Sequence, residues 1–417
     1  MSKIHVLSEQ VINKIAAGEV IERPASVVKE LLENALDAKA TRIIVEIENA
    51  GKDLIRVIDN GEGMDEQDAR RCIARHATSK IVSENDLQAI STLGFRGEAL
   101  ASIAAVSQLT LITNQKERVE GFTLTIEGGT VTSSGIAAAE SGTIIAVKNL
   151  FFNTPARKKF LKENAVELRH IIDVVTRYAL IHPSITVRLL HNGYQLLHAP
   201  VVSDLKSNIA SIYGLDLAKA LLEVNYTAPG ITIFGYVASP YHARNDKSQQ
   251  AFFVNNRSIR SEDISQALYD AYHSLLFVGK HPVAILNLTI DPQRIDVNVH
   301  PHKMEIKFEQ KEQVYGAVYN AVRQTLERNQ LLPTVNVDVQ APLLHTTTPQ
   351  KYSFEISKQT VLSAEATDLP SSLVNQQQPM IIPGSEKFPE MKLLGQVHKT
   401  FFIAETQGGA FFIDQHA

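Results

Sequence analysis

Residues 24–38 read PASVVKELLENALDA, and this stretch is the starting point for the fold. Its apolar residues recur at helical spacing, which predicts an amphipathic helix with Ser26 as its N-cap. Glu30, Asn34 and Asp37 are spaced i, i+4 and i+7, so they share a face of this helix that is not the apolar one. A polar helix face is usually just exposed to solvent, so the residues that follow must indicate whether this face has a function.

Strand patterns surround this helix. Residues 41–48 alternate between apolar and polar and predict a half-buried strand, and a second strand over 54–58 ends at a turn, Asp59-Asn60-Gly61. Further elements are predicted as strands at 109–113, 122–127 and 143–147, a helix at 167–181, and a hairpin joining 186–190 to 195–198. This mixture of helices and hairpins predicts an α+β fold with a mainly antiparallel or mixed sheet.

The chain is predicted to contain four segments. Residues 1–204 form the first domain, and 205–330 form a second αβ unit with strands at 232–237, 251–254 and 283–290 and helices at 261–277 and 311–328. Residues 331–390 are rich in Pro, Ser, Thr and Gln without a sustained period, which predicts a flexible linker. Apolar runs in 391–417 predict that order returns there. Because so short a piece cannot bury its own core, we expect it to open a further domain that the chain truncates.

Composition narrows the class of protein. Lys and Arg total 41 and Asp and Glu total 45, a net charge of −4, while 44% of residues are hydrophobic. These values are typical of a soluble globular protein, and no apolar run is long enough to cross a membrane. Cys72 is the only cysteine, which excludes an internal disulfide and favours a cytoplasmic location. The weak negative charge excludes a strongly basic nucleic-acid coat but permits a local basic groove.

Two glycine motifs follow the polar helix face. The first is Asp59-Asn60-Gly61-Glu62-Gly63, at the end of a strand, and the second is GFRGEAL at 94–100, where a helix is predicted to begin. Glycines let the backbone approach a ligand closely, and successive N–H groups can bind an anion. With a carboxylate to activate water and an amide oxygen for Mg²⁺, these motifs suit a nucleoside triphosphate. The chain contains neither a Walker P-loop nor a dinucleotide-binding G-x-G-x-x-G motif.

The motifs occur in a familiar order. Glu30-x-x-x-Asn34-x-x-Asp37-Ala38, Asp59-x-Gly61-x-Gly63, residues 94–100 and Gly142-Thr143 resemble the four ATP-site motifs of the GHKL ATPases. Within that superfamily, the exact residues of several motifs over about residues 1–330 resemble the MutL family of DNA mismatch repair proteins. These motifs are at residues 15–20, 23–31, 75–80, 94–100, 153–157 and 296–303. This resemblance implies a GHKL (Bergerat) ATP-binding α/β sandwich, a ribosomal S5-like second domain and the start of a C-terminal dimerisation domain.

The resemblance also implies roles for single residues. Glu30 resembles the general base, Asn34 the Mg²⁺ ligand, and Asp59 the adenine-binding aspartate with Thr143 beside it. Gly61 and Gly63 resemble the turn that lets adenine approach, and Lys303 resembles the second-domain lysine that reaches the γ-phosphate. The residues that resemble the lid over the phosphates are Thr78, Ser79, Lys80, Gly94, Phe95, Arg96, Gly97, Glu98, Ala99 and Leu100. For Glu98, a charge at a helix N-terminus is the simpler physical interpretation.

The implied function is an ATP-driven switch. ATP and Mg²⁺ would be its cofactors, and it would form a homodimer through its N-terminal domains when ATP binds. The implied partners are DNA, bound mostly without sequence preference, the mismatch sensor MutS, and downstream helicase or nuclease factors. Basic candidates for DNA contact, for which a solvated surface is the alternative, are Arg157, Lys158, Lys159, Arg257 and Arg260.

Further interpretations stay open at this point. Asp414-Gln415-His416-Ala417 resembles the opening of the family's metal-binding endonuclease motif, which predicts nuclease activity for a longer parent but not for this chain. The first rival function is another GHKL enzyme, such as a type II topoisomerase subunit, an Hsp90-like chaperone or a histidine kinase. The second is a DNA-binding scaffold that does not hydrolyse ATP. In that case Glu30→Ala would have no effect on nucleotide turnover, because none occurs.

Overall fold

The computed structural model describes residues 17, 18, 20–80, 92–94, 97–116, 118–273, 275–296 and 306–329, and the backbone of strands between 392 and 414. By their contacts, Met1–Asp338 form one compact unit and Val339–Ala417 a second one. The predicted linker over 331–390 lies outside the described residues, and the predicted domain boundary near 205 stays a prediction. In the described part of the chain, no helix combines the length and apolar character that a membrane span requires.

The first sheet has eight strands. They are β1 (Arg42–Glu48), β2 (Leu54–Asp59), β3 (Gln108–Asn114), β4 (Gly121–Glu127), β5 (Thr130–Ala137), β6 (Gly142–Lys148), β7 (Thr186–His191) and β8 (Tyr194–Ala199). Their order in the sheet is β5-β4-β3-β6-β2-β1-β7-β8, and every neighbouring pair is antiparallel except β1 and β7. The sheet is therefore mixed and mainly antiparallel, as predicted.

Five helices whose bounds lie within the described residues accompany this sheet. They are α1 (Pro24–Asp37), α2 (Glu66–Arg71), α3 (Ala99–Ala105), α4 (Pro155–Phe160) and α5 (Asn164–Ile181). Helix α1 packs against α5, and its apolar face shares one core with the buried face of β1. The prediction that Ser26 caps α1 is wrong, because the helix begins at Pro24 with Arg23 at the N-cap position and without a side-chain cap. Proline suits the first turn because its missing N–H would be unpaired there in any case.

The second sheet lies in the same compact unit. Its strands are β9 (Leu221–Ala228), β10 (Ile231–Ala238), β11 (Gln250–Val254), β12 (Arg257–Ile259) and β13 (Ala284–Ile290), in the order β12-β11-β13-β10-β9. Four helices accompany it, α6 (Leu205–Tyr213), α7 (Leu215–Lys219), α8 (Glu262–Ala271) and α9 (Lys311–Arg328). A cluster of buried residues joins Leu180 at the end of α5 to Leu205 and to Phe253 of this sheet, so α5 packs against the second sheet.

Short elements complete the described chain. β14 (Ile295–Asp296) pairs with β15 (Lys307–Phe308), and single 3₁₀ turns occur at Asn49–Gly51, Pro240–His242 and Pro292–Arg294. In the second compact unit, β16 (Lys392–Val397), β17 (Phe401–Thr406) and β18 (Gly409–Asp414) form an antiparallel three-stranded sheet. Strands therefore occur where the apolar runs after residue 391 predict them.

Two elements differ from the prediction. Strand β5 is not predicted, because most of its residues are exposed and its composition of Thr and Ser carries no apolar alternation. The helix predicted over 261–277 ends at Ala271. Beyond the helix, Tyr272 is still buried and Leu275 and Leu276 pack against the core, whereas Phe277 is exposed. The apolar pattern there therefore marks burial that continues after the helix has ended.

Candidate functional site

Two carboxylates and one lysine of α1 form a buried ion network. Glu30 and Glu33 are only 8% and 1% exposed, and Lys29 Nζ lies 3.1 Å from Glu30 Oε1 and 2.8 Å from Glu33 Oε1. Burial alone would lower the pKa of Lys29, but the two carboxylates outweigh it and raise that pKa. From α5, the Tyr178 hydroxyl donates a hydrogen bond to Glu33. The network therefore holds Glu30, the predicted general base, beside a charged ammonium group.

On the next turns of α1, the side-chain oxygens of Asn34 and Asp37 both bind the ammonium group of Lys80. Lys80 Nζ lies 2.5 Å from Asp37 Oδ2 and donates a hydrogen bond of 3.1 Å to Asn34 Oδ1. The backbone N–H groups of Leu93 and Gly94 donate to the two Asp37 oxygens, both at 3.0 Å. The same carboxylate therefore binds residues on both sides of 81–91, a segment that lies outside the described residues.

This arrangement fits the predicted metal ligand. An amide oxygen and a carboxylate already face a positive charge here, and both are oxygen ligands of the kind that Mg²⁺ prefers. Within the described ranges, no three His, Cys, Asp or Glu side chains form a metal-binding group.

Asp59 lies at the end of β2 and is held by backbone groups rather than by a cation. Its side chain accepts hydrogen bonds from the backbone N–H groups of Gly61, at 2.8 Å, and Thr143. Burial raises the pKa of Asp59 to about 6, although these two hydrogen bonds act in the opposite direction. Among the described residues it has no ion-pair partner. A desolvated carboxylate of this kind is a strong acceptor for an amine donor.

Three glycines allow the backbone to pass closely around Asp59. A Cβ on Gly61 would lie 2.7 Å from the Ala38 carbonyl oxygen, and one on Gly63 would lie 2.0 Å from the Asn114 carbonyl oxygen. Gly63 and Gly142 also have positive φ, at +68° and +126°. Only glycine fits such positions without strain, so the end of β2 sits tightly between α1, β3 and β6.

A buried threonine pair supports the same strand ends. The Thr113 hydroxyl donates to the Gly142 carbonyl at 3.1 Å and accepts from the Met64 backbone N–H at 2.9 Å. It also lies 3.1 Å from the Thr143 hydroxyl. The predicted adenine-side residue Thr143 is thus buried, and its position is fixed by β3.

The second glycine motif is described in part. A Cβ on Gly94 would lie 2.9 Å from Lys80 Nζ, and one on Gly97, with φ +62°, would lie 2.5 Å from the Ala77 carbonyl oxygen. Glu98 occupies the N-cap position of α3 without a side-chain cap and lies 3.2 Å from His76 Nδ1. Thr78 and Ser79 are exposed, and Ala99 and Leu100 open α3. Phe95, Arg96 and Lys303 lie outside the described residues.

The basic candidates for DNA contact do not share one environment. Lys158 and Lys159 of α4 are exposed, and the Arg260 side chain is 63% exposed and 3.9 Å from Asp173 Oδ2. Arg157 is half-buried, and its guanidinium packs so closely on Gly18 that a Cβ there would lie 1.8 Å from Nη2. Arg257 is only 7% exposed and donates to the Thr92 carbonyl oxygen. The prediction that Arg257 contacts DNA does not fit this burial, because a buried guanidinium cannot reach a phosphate.

Sequence reasoning missed several contributors to this site. Glu33 is not among the predicted site residues, yet it binds Lys29 at i,i+4 spacing, which is a sequence signal for an ion pair. Asp37 is part of the motif but was assigned no role of its own. Tyr178, Thr113 and Arg257 are brought in by the fold across long stretches of sequence, so no local pattern indicates them.

Comparisons with known families agree with the site. A family model described as histidine kinase-, DNA gyrase B- and HSP90-like ATPase matches residues 21–145. A second model, described as DNA mismatch repair protein, C-terminal domain, matches residues 209–327. The fold and the site together thus define an ATPase domain of the GHKL class.

Individual relatives narrow the class to one family. A DNA mismatch repair protein MutL from Anoxybacillus flavithermus is 40% identical over 100% of this chain and 73% of its own length. The solved N-terminal domain of a DNA repair protein is 27% identical with a TM-score of 0.65, covering 77% of this chain and 99% of that one. A structure of the Aquifex aeolicus MutL ATPase domain complexed with ADP is also 27% identical, with a TM-score of 0.53, covering 72% of this chain and 98% of that one.

The chain belongs to the MutL family of DNA mismatch repair proteins. The resemblance identified from the motifs is therefore confirmed, together with the GHKL ATPase domain that it implies. The rival interpretations as a topoisomerase subunit, a chaperone or a histidine kinase are wrong at the level of the family.

Proposed function

We propose that this chain is a Mg²⁺-dependent ATP switch whose nucleotide state controls association of two copies and their hold on DNA. The observation that carries the proposal is one face of α1. There the buried Glu30 pairs with Lys29, and one turn later Asn34 and Asp37 bind the ammonium group of Lys80. This combination places a base for water beside oxygen ligands for a metal-bound phosphate. The relative solved with ADP supports a nucleotide as the ligand.

Adenine recognition is assigned to Asp59. Its carboxylate is desolvated and receives only backbone N–H groups, so an exocyclic amine of adenine would give it a further donor. The glycines at 61 and 63 let the chain turn without side chains beside this carboxylate. Thr143 and Thr113 fix the strand ends on which this contact depends.

Hydrolysis is assigned to the α1 face. Glu30 would orient and deprotonate the attacking water, while Lys29 fixes the position of its carboxylate. Asn34 would hold Mg²⁺, which when bound supplies charge neutralisation on the phosphate oxygens. Because Lys80 now holds the oxygens of Asn34 and Asp37, we propose that its ammonium moves to the phosphates when nucleotide binds. Lys303 would add a γ-phosphate contact.

The wider role follows from the family. DNA contact is assigned to the exposed Lys158, Lys159 and Arg260, which would bind phosphates without reading sequence. The proposed partners are MutS, downstream helicase or nuclease factors, and a second copy of the chain bound through the N-terminal domain. The nuclease activity suggested by the 414–417 resemblance is proposed only for a longer parent.

The test is sedimentation velocity of the purified chain with Mg²⁺ and a non-hydrolysable ATP analogue, with ADP as the matched control. The proposal expects a shift to dimer with the analogue and not with ADP. Glu30→Ala should still dimerise, because it removes the base and not the nucleotide contacts. An unchanged size distribution, at analogue concentrations that saturate binding, would contradict the switch and favour a scaffold that does not respond to nucleotide.

A further inference from the structure

A rigid hairpin of the second sheet carries an arginine that reaches the first domain. β11 and β12 are joined by Asn255 and Asn256, whose φ angles of 49° and 62° are those of a tight two-residue turn. The Asn255 side chain donates to the Ile290 carbonyl at 2.8 Å and accepts from the Ile290 N–H at 3.0 Å. Arg257 follows directly and pairs with Val254 of β11, so its backbone is fixed by the turn and by this pairing.

The Arg257 side chain is buried with only part of its hydrogen-bonding capacity used. The residue is 7% exposed, and Nη2 donates to the Thr92 carbonyl oxygen at 3.0 Å, across 165 positions of sequence. Nη1 is also buried and has no hydrogen-bond partner among the described residues. Among the described residues no carboxylate pairs with this guanidinium, and a buried charge without such a partner is costly. A role beyond packing would explain why it is buried there.

Thr92 is directly linked to the nucleotide site. The next two backbone N–H groups, of Leu93 and Gly94, donate to the two oxygens of Asp37 at 3.0 Å each. The Thr92 hydroxyl donates to the Gly94 carbonyl at 2.8 Å, which stiffens this short segment. Three consecutive backbone groups are therefore held from opposite sides, by Arg257 of the second sheet and by Asp37 of α1.

We infer that Arg257 is a positioning residue of the ATP site. From the second sheet it fixes the Thr92 carbonyl, and through it the amides that hold Asp37 beside Asn34 and Lys80. The inference rests on the proposed function, since it assigns Arg257 a part in nucleotide binding. It also replaces the DNA contact predicted for this arginine with an internal role.

Arg244 provides a matched control. It carries the same charge and lies just before β11, the strand that pairs with β12, but its side chain is exposed. Its Nε donates a hydrogen bond of 2.9 Å to Gln249 Oε1, and it is assigned to neither the proposed nucleotide site nor the proposed DNA contact. Arg244→Gln therefore removes a positive charge from this region without removing the Thr92 contact.

The experiment compares the full chain with Arg257→Gln, Arg257→Lys and Arg244→Gln. Steady-state Mg²⁺-ATP hydrolysis gives kcat and KM, and hydrogen exchange follows the peptide that contains the Leu93 and Gly94 amides. Arg257→Gln should raise KM about tenfold and speed that exchange by a similar factor, because a charge-assisted hydrogen bond is lost. Arg257→Lys should lie between wild type and Arg257→Gln, and Arg244→Gln should change neither value.

Comparing the changes in KM and in kcat distinguishes the loss of a positioning contact from a general loss of structure. A variant that merely unfolds in part lowers the active fraction, and hence kcat, without raising KM. If Arg257→Gln does not fold, Arg257→Lys becomes the test variant. The inference is overturned if Arg257→Lys has the same KM and the same exchange rate as the wild type. Unchanged exchange in a folded Arg257→Gln, together with a weaker salt dependence of DNA binding, would overturn it in favour of a DNA contact.

Failure of the proposed function gives a different pattern. If the wild-type chain neither binds nor hydrolyses ATP, the proposed function is wrong whatever Arg257 does. If the wild type hydrolyses ATP while Arg257→Gln matches it in KM and exchange, only the Arg257 inference is overturned.

Discussion

At the scale of single residues, the two carboxylates assigned to the ATP site are held in opposite ways. Glu30 is paired with Lys29, whose charge is maintained by two carboxylates. Asp59 receives only backbone N–H groups, and burial raises its pKa from 3.8 to about 6. The ion pair with Lys29 orients the Glu30 carboxylate. The desolvated Asp59 carboxylate, in contrast, would be stabilised by a hydrogen-bond donor from a ligand. This contrast matches the two roles, water activation and adenine recognition.

Asp59→Asn should affect stability and nucleotide affinity in opposite directions. The folded protein binds the Asp59 proton more tightly than the unfolded chain, so ionisation of Asp59 costs stability as pH rises from about 4 to about 6. Removing the charge should therefore raise the free energy of unfolding by about 2–3 kcal/mol at pH 7.5 and have little effect below pH 4. The same change should weaken ATP binding at least about tenfold.

Denaturant unfolding at several pH values and calorimetric titration with ATP measure the two effects. Wild-type affinity for ATP should fall as pH drops through about 6, while the affinity of Asp59→Asn should not follow this titration. A variant that is destabilised at pH 7.5, or one that binds ATP as tightly as wild type, would contradict the role of Asp59.

Lys29→Met should impair hydrolysis in a pH-dependent way. Without the ammonium, Glu30 and Glu33 lie close together in a buried site without their shared cation, which favours protonation of one of them. We expect turnover to fall about tenfold or more at pH 7 and to recover in part as pH rises. The measurement is the pH profile of kcat, with Tyr178→Phe as control because it removes only the hydroxyl hydrogen bond to Glu33. A uniform loss at all pH values would contradict the electrostatic role.

At the scale of elements, the site depends on how strand ends meet. The end of β2 carries Asp59, and β6 begins beside it at Gly142, whose φ is +126°. A Cβ on Gly142 would lie 2.1 Å from the Asp59 carbonyl oxygen. The pairing of these two strands thus requires glycine at this position.

Gly142→Ala should destabilise the protein by about 3 kcal/mol, because it combines a strained φ with a backbone clash. Gly135→Ala is the matched control, since a Cβ there meets nothing within 4 Å. That control should stay within about 0.5 kcal/mol of wild type. Chemical denaturation of both variants provides the comparison, and equal stabilities would show that the β2–β6 junction tolerates a side chain.

The sequence predicted elements well where periodicity and turns agree, as in α1, β1, β2 and the β7–β8 hairpin. It failed at the exposed strand β5, which has no apolar alternation, and beyond α8, where apolar residues remain in the core although the helix has ended. Most of the candidate site could be predicted because its residues lie in short motifs. The contacts of Tyr178, Thr113 and Arg257 could not, since each one joins segments that are distant in sequence.

At the scale of the whole molecule, the second sheet contacts two segments of residues 1–204. The buried cluster that joins Leu180 of α5 to Leu205 and Phe253 is apolar, whereas the Arg257–Thr92 contact is polar and lies next to the proposed nucleotide site. An apolar contact fixes the two parts together, while a polar contact beside a ligand site can respond to that ligand. We therefore propose that the second sheet responds to nucleotide bound at this site.

DNA binding should be governed by exposed lysines on α4. The double variant Lys158→Gln/Lys159→Gln should lower affinity for duplex DNA and reduce the slope of log K against log salt by about 1–2, since each phosphate contact contributes about 0.9. Lys206→Gln, an exposed lysine on α6, is the control for a general change in charge. An unchanged slope in the double variant would place the DNA surface elsewhere.

The most direct test of the central claim separates nucleotide binding from hydrolysis at Glu30. ATP affinity and Mg²⁺-dependent turnover are measured for the wild-type chain and for Glu30→Gln, which keeps the size of the buried side chain. We predict affinities within about threefold of each other and a turnover at least about 10²-fold lower in the variant, as expected for loss of a general base. Turnover by Glu30→Gln at the wild-type rate would contradict the assignment of Glu30 as the base.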